Sequence, residues 1–246
     1  MNKDRPPRIV VADDDAVSLQ FFIAALRGLG CTVTAAASGG EALAACAQSA
    51  PDLLLLDRRM PDLGGAPLLH ELRRSGCMAP AIATSAELDA AVRADLAAAG
   101  YVDAVTKPIS VARLAALLDS RFPQWSRPGS NVGSDATAAQ SAQSALLEDG
   151  PALATVGGDE HTLRALRGLF ANELETMLPR IATMPTNELA DWLHRLRASC
   201  RYCGATRLGD AAGKLELGIK AHGPHDDAQL AVFLTACTAT IDALLR

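Results

Sequence analysis

Four consecutive leucines at 53–56 run directly into Asp57-Arg58-Arg59-Met60-Pro61. An apolar run of that length, without alternation, suits a strand buried on both faces, as in a parallel sheet. A carboxylate at the carboxyl end of such a strand falls where open α/β sheets place their ligand sites. Met60-Pro61 then turns the chain away, because the residue before a proline avoids helical backbone. The rest of the first half reads as support for Asp57.

Strand and helix patterns alternate five times around that segment. Residues 8–12 read as a strand ending in Asp13-Asp14-Asp15, and 17–29 as a helix stopped by Gly30. Strands follow at 32–35, 53–56, 81–84 and 104–106, with helices at 39–47, 66–74, 88–98 and 111–118. Such alternation predicts a doubly wound five-stranded parallel sheet covered on both faces, an α/β domain over residues 1–123. From 124 to 146 Ser, Gly, Ala, Gln and Asn dominate, which reads as a flexible linker with a possible helix near 136–147. Residues 147–246 carry no strand pattern. Apolar residues recur at helical spacing over 160–178, 187–203, 206–221 and 227–245, predicting an all-α bundle.

Composition narrows the function. A length of 246 residues suits two ordinary domains. The net charge of −5 and 4% aromatic content argue against a nucleic-acid partner. No uninterrupted run approaches the ~18 apolar residues of a membrane span, and the first residues lack a signal-peptide pattern, so a cytoplasmic protein without membrane insertion is expected. Most of the six cysteines read as small core residues. Cys200 and Cys203 have redox-motif spacing, but no strand precedes them. His222 and His225 flank a turn without further metal ligands, and His70 and His161 read as solvated helix residues.

On a parallel sheet Asp13 and Asp14, Asp57, Ser85 and Lys107 all end strands on one edge. Gathered carboxylates repel one another unless a cation is present, and a hard divalent ion such as Mg²⁺ suits oxygen ligands. Lys107 supplies a fixed positive charge and Ser85 a hydroxyl. Together these groups suit in-line phosphoryl transfer to a carboxylate. The bland alternative is that the Asp13–Asp15 triplet caps a helix. A phosphatase with an Asp-x-Asp motif is disfavoured, because Asp57-Arg58-Arg59 lacks the second acid.

Residues 8–122 resemble the receiver domain of bacterial two-component response regulators. The matching pieces are Asp13-Asp14-Asp15 after an apolar strand, Asp57 with Met60-Pro61, Ser85-Ala86 and Lys107-Pro108. The resemblance implies that Asp57 is the phosphoacceptor and that Asp14, Asp57 and the Arg59 carbonyl bind Mg²⁺, with Asp13 acting through water. It further implies that Ser85 and Lys107 contact the phosphoryl group and that the Lys107-Pro108 peptide is often cis. Family members usually carry Tyr or Phe three residues before the lysine, where this chain has Ala104. Tyr101, six residues before it, is not expected to take that place.

In the second half, a helical projection of 187–203 puts Leu189, Trp192, Leu193, Leu196, Cys200 and Cys203 on one stripe, with His194 about 150° from its centre. That predicts a solvent-facing imidazole beside Arg197, Ala198 and Arg201, available as a nucleophile near neutral pH. His194-Arg195-Leu196-Arg197-Ala198-Ser199, with Gly204-Ala205, Leu208 and Leu215-Glu216, resembles the histidine phosphotransfer (HPt) motif over about residues 147–245. The resemblance implies that His194 is phosphorylated, with Arg197 where the family usually has Lys and Ala198 where it usually has Gly.

The expectation is a phosphorelay protein rather than an enzyme with a separate substrate, although the receiver half would catalyse its own phosphorylation and dephosphorylation. Asp57 accepts a phosphoryl group from a sensor histidine kinase, and His194 exchanges one with a receiver aspartate, in this chain or on a downstream protein. No ATP-binding or DNA-binding motif is apparent. The alternative is a binding module regulated by Asp57 phosphorylation, with an idle His194.

Overall fold

The computed structural model describes residues 5–125, 146–223 and 227–245. Most of the linker read at 124–146, and His225, lie outside them, as does most of the helix considered at 136–147. The chain divides into two compact units, Met1–Asp135 and Ala136–Arg246.

The first unit is an α/β layer structure. Its strands are β1 (Arg8–Ala12), β2 (Thr32–Ala36), β3 (Leu53–Asp57), β4 (Ala81–Ser85) and β5 (Asp103–Thr106). Between and after them run α1 (Ala16–Gly28), α2 (Gly39–Gln48), α3 (Gly65–Arg74), α4 (Ala90–Ala98) and α5 (Val111–Arg121). All strand pairs are parallel, in the order β2-β1-β3-β4-β5. This is the flavodoxin-like doubly wound order. Every residue of β3 and β4 is buried, as two covered faces require, whereas edge strand β2 buries only Ala36 fully.

Pairing continues one step past the strand ends. Arg58 N–H donates to Thr84 O at 2.9 Å and Asp13 N–H to Ala36 O at 3.1 Å. The residues following each strand are therefore held in register at one edge. The loop after β3 is also tied down. Asp62 accepts from Gly39 N–H and Gly40 N–H, both at 3.1 Å, across the start of α2. Those contacts hold its carboxyl below the usual range. A Cβ at Gly39 would lie 2.1 Å from Leu63 O, so only glycine lets α2 start this close to the loop.

The second unit is helical among its described residues: α6 (Asp149–Thr155), α7 (Glu160–Ile181), α8 (Thr186–Cys203), α9 (Thr206–His222) and α10 (Asp227–Leu244). The four long helices match the regions read from periodicity; α6 was not foreseen, since a single turn or two carries too little periodic signal. Leu166, Phe170 and Leu174 of α7, Leu189, Leu193 and Leu196 of α8, Leu208 and Leu215 of α9, and Phe233 and Ile241 of α10 form the core. Trp192 packs edge-to-face on Phe233 at 6.0 Å and donates its indole N–H to Glu173 at 3.1 Å. One expectation narrows here. α10 has a mean hydropathy of 1.2 over 18 residues, long and apolar enough to cross a membrane by those measures alone. Interspersed Thr and Asp conceal it from a search for unbroken apolar runs. In this fold it packs on α7 and α9.

α8 ends at Gly204, which adopts φ +75°. Its carbonyl accepts from Glu148 N–H at 2.8 Å, and Arg167 caps the preceding Cys203 carbonyl at 3.1 Å. A Cβ at Gly204 would meet Glu148 O at 2.4 Å. Gly204→Ala therefore combines left-handed strain with a clash, and should lower the stability of the helical unit by roughly 2–3 kcal/mol. A reduced denaturant midpoint with unchanged slope checks this.

Candidate functional site

The carboxyl edge of the sheet brings Asp13, Asp14, Asp57, Ser85 and Lys107 together. Carboxylate oxygens of Asp13, Asp14 and Asp57 all lie within 4.8 Å of one another. Lys107 Nζ sits among them, donating to Asp57 Oδ2 at 2.5 Å and to Asp13 Oδ2 at 3.0 Å. Lys107, Asp13 and Asp57 are each no more than 5% exposed.

The three acids of the first loop divide their work. Asp15 caps α1, accepting from Ser18 N–H at 3.0 Å and Ser18 Oγ–H at 2.6 Å. Asp13 accepts from Asp15 N–H at 3.1 Å and faces Lys107. The helix-capping alternative thus describes Asp15 and leaves Asp13 and Asp14 to the pocket. Arg59 is exposed on the loop after β3, and its N–H donates to Asp57 Oδ1 at 3.0 Å.

Electrostatics make the pocket short of positive charge. Burial works to discharge the Lys107 ammonium, but Asp13, Asp57 and Asp15 outweigh it and hold its pKa above the ordinary lysine value. Burial pushes the Asp13 carboxyl well above the usual carboxylate range; Lys107 opposes this, while Asp57 and Asp15 add to it. One ammonium thus faces three clustered carboxylates. The Lys107-Pro108 peptide is cis.

Ser85, at the end of β4, is buried, and its hydroxyl is engaged by groups other than Asp57. Its hydroxyl donates to Glu87 O at 2.8 Å and accepts from Arg58 Nε–H at 3.2 Å. Arg58 was not singled out in the sequence, where a side chain following a strand-end residue gives no sign of its direction. Ala104 is buried on β5, in the same cluster as Tyr101. Tyr101 is 5% exposed, and its hydroxyl donates to Gly65 O at 2.8 Å. Burial, with the Asp57 charge adding, raises its phenol.

In the helical unit the solvent-facing imidazole is corrected. His194 is 5% exposed, and Ala198, on the same face, 2%. Ten of the 18 residues of α8 are buried, because the helix packs on α7 with one face and on α9 with another. A projection with a single apolar stripe cannot show that second contact. Arg197 is half-buried and Arg201 exposed. Among the other histidines His70 and His161 are exposed, as expected. None of the six cysteines, all among the described residues, is in a disulfide, and Cys200 and Cys203 are buried in α8.

His194 Nδ1 lies 3.1 Å from Glu216 Oε1 of α9. Arg197 donates to Glu216 Oε2 at 3.0 Å, and Lys220 to Oε1 at 2.5 Å. Burial would raise the Glu216 carboxyl, but hydrogen bonds from His194, Lys220 and Arg197 outweigh it and pull it down to about 2. An ionised acceptor at that place favours the tautomer with its proton on Nδ1 and its lone pair on Nε2. The sequence named Glu216 only as part of a motif.

Residues 9–119 match the family model for the response regulator receiver domain, and this stretch is a receiver domain. Over 239 residues the chain is 28% identical to the sensor protein GacS of Pseudomonas syringae pv. syringae, covering 92% of this chain and 26% of that protein. It is 26% identical to the signal transduction histidine-protein kinase BarA of Escherichia coli K12, covering 90% of this chain and 25% of that protein. The probable transcriptional regulatory protein TcrX of Mycobacterium tuberculosis is 36% identical over 118 residues, 46% of this chain and 50% of that one. The chain thus spans between a quarter and a half of these relatives' lengths. Among solved structures, the receiver domain of the Francisella response regulator 1452 aligns over 48% of this chain and 98% of its own at 30% identity, with a TM-score of 0.45.

Glu216 carries a pH prediction. Its folded pKa lies below the ordinary 4.5, so its contribution is complete above about pH 4.5 and is lost as pH falls toward 2. The loss should reach roughly 3 kcal/mol. Glu216→Gln should flatten that part of the stability–pH curve, measured by denaturant titration.

Proposed function

We propose that the chain is a two-site phosphorelay protein, in which Asp57 accepts a phosphoryl group from a sensor histidine kinase. The observation that carries this reading is the pocket of Asp13, Asp14, Asp57 and Lys107, with the lysine ammonium bonded to the phosphoacceptor carboxylate. In phosphotransfer an Asp57 oxygen attacks phosphorus in line with the departing group. Lys107 then bonds a phosphoryl oxygen, and the Ser85 hydroxyl turns from Glu87 O to donate to another.

Mg²⁺ fits this pocket. The donor set is all oxygen, and the excess of carboxylates over cations leaves negative charge to offset. Asp14, Asp57 and the Arg59 carbonyl would hold it, with Asp13 acting through water. When bound, it neutralises charge on the transferring phosphoryl oxygens. Labelling of Asp57 by a small phosphodonor should require Mg²⁺. Labelling that persists with a chelator in excess would refute the metal assignment.

His194 is the second phosphoryl carrier in this reading, oriented through Nδ1 by Glu216, with Arg197 and Arg201 beside it. The relatives named sensor protein GacS and histidine-protein kinase BarA align through both units, which supports pairing a receiver with this helical partner. The source or destination of its phosphoryl group is a receiver aspartate, Asp57 or one on a downstream protein. The burial of His194 favours the second reading, in which phosphorylation of Asp57 controls association and the imidazole is idle. Acyl phosphate and phosphohistidine differ in acid and base stability, so one experiment separates the two. In the relay, His194→Gln abolishes the acid-labile phosphoprotein and leaves Asp57 labelling intact. An unchanged acid-labile signal would remove His194 from the pathway.

A further inference from the structure

Arg58 stands immediately after the phosphoacceptor, and its backbone is fixed by the bond from its N–H to Thr84 O at 2.9 Å. From there the side chain reaches across to β4, where Nε–H donates to Ser85 Oγ at 3.2 Å. Ser85 has one hydroxyl proton, and Glu87 O accepts it at 2.8 Å. Ser85 Oγ also accepts from Glu87 N–H at 3.3 Å. The hydroxyl is therefore committed away from Asp57, with Arg58 and Glu87 holding the oxygen in place. Among the described residues Ser85 is the hydrogen-bond partner of the Arg58 side chain, through one of the five N–H donors of its guanidinium. Arg58 follows the phosphoacceptor directly in sequence, where a phosphoryl group would add about two negative charges. The loop around Arg58 is close-packed: a Cβ at Gly65 would lie 2.9 Å from its carbonyl oxygen and one at Gly64 3.1 Å. Its backbone is thus held from both sides, and from that anchored position the side chain reaches Ser85.

We infer that Arg58 is a further phosphoryl-site residue, which positions the Ser85 hydroxyl before transfer and bonds a phosphoryl oxygen on Asp57 during and after it. The inference rests on Asp57 being the phosphoacceptor. With phosphoramidate as donor, an Asp57 oxygen forms the new O–P bond while the P–N bond breaks. The nitrogen leaves with the bonding electron pair, and its proton count is completed from the donor and solvent, giving ammonia. Charge moves onto the equatorial oxygens in that step, and a planar, always-charged fork of donors suits them better than a lone hydroxyl. Arg58 also makes the dependence on Ser85 indirect: once the hydroxyl swings to the phosphoryl group, Nε–H still holds its oxygen.

The test compares the full-length chain with Arg58→Gln, Arg58→Lys, Ser85→Ala and the double variant Arg58→Gln/Ser85→Ala, labelled with phosphoramidate at saturating Mg²⁺. Arg58→Gln should lower kcat/KM for labelling about tenfold, and Arg58→Lys, which keeps the charge but not the fork, should recover part of the loss. The double variant should lose less than the product of the two single losses, because the residues act on one group. Mg²⁺ binding measured calorimetrically should stay within about twofold of the parent, which separates a phosphoryl contact from a damaged pocket. Parental kcat/KM in Arg58→Gln, no recovery in Arg58→Lys, multiplicative losses, or a parallel loss of Mg²⁺ binding would each overturn the inference. Absence of labelling in the parent chain would instead overturn the phosphoacceptor reading beneath it.

Discussion

A single buried ammonium holds the receiver unit's site together. Lys107 arrives at the end of β5 and bonds carboxylates that follow β1 and end β3, so three strands converge on one charge. Burying acids this deeply is unfavourable unless a cation accompanies them. The lysine meets that requirement only in part, since three carboxylates cluster around it. The charge left over is negative, and a hard divalent cation would offset it. The parallel sheet supplies the geometry, because every strand's carboxyl end falls on the same edge.

The first half was legible because its signals are redundant. A run of leucines with no alternation specifies a strand covered twice, and β3 is buried throughout. Acidic residues at two strand ends and a lysine at a third are then neighbours by topology alone. What stayed hidden was direction. Nothing in the sequence tells that Asp15 turns to cap α1 while Asp13 turns to Lys107, or that Arg58 reaches Ser85. Those choices depend on one or two torsions per side chain, set by neighbours distant in sequence.

The second half shows where periodicity runs out. The four long helices were found from their spacing, and the core stripe of α8 was assigned to the right residues. The same projection placed His194 in solvent, and the imidazole is instead enclosed against α9. A helix with two packed neighbours buries two stripes, and the second is made of small and polar residues that no hydrophobicity pattern marks. Glu216 lies in that seam. Its carboxylate gathers His194, Arg197 and Lys220, so the polar contact between α8 and α9 is built on one acid.

Tyr101 gives the receiver unit an unusual internal linkage. With Ala104 leaving no ring on β5 beside the strand ends, the buried phenol of Tyr101, two residues before that strand, grips the carbonyl of Gly65, where α3 begins. A shift of that segment would stretch or release this grip directly. The ring and the main chain at the start of α3 are thereby tied together, as by a tether rather than a gate.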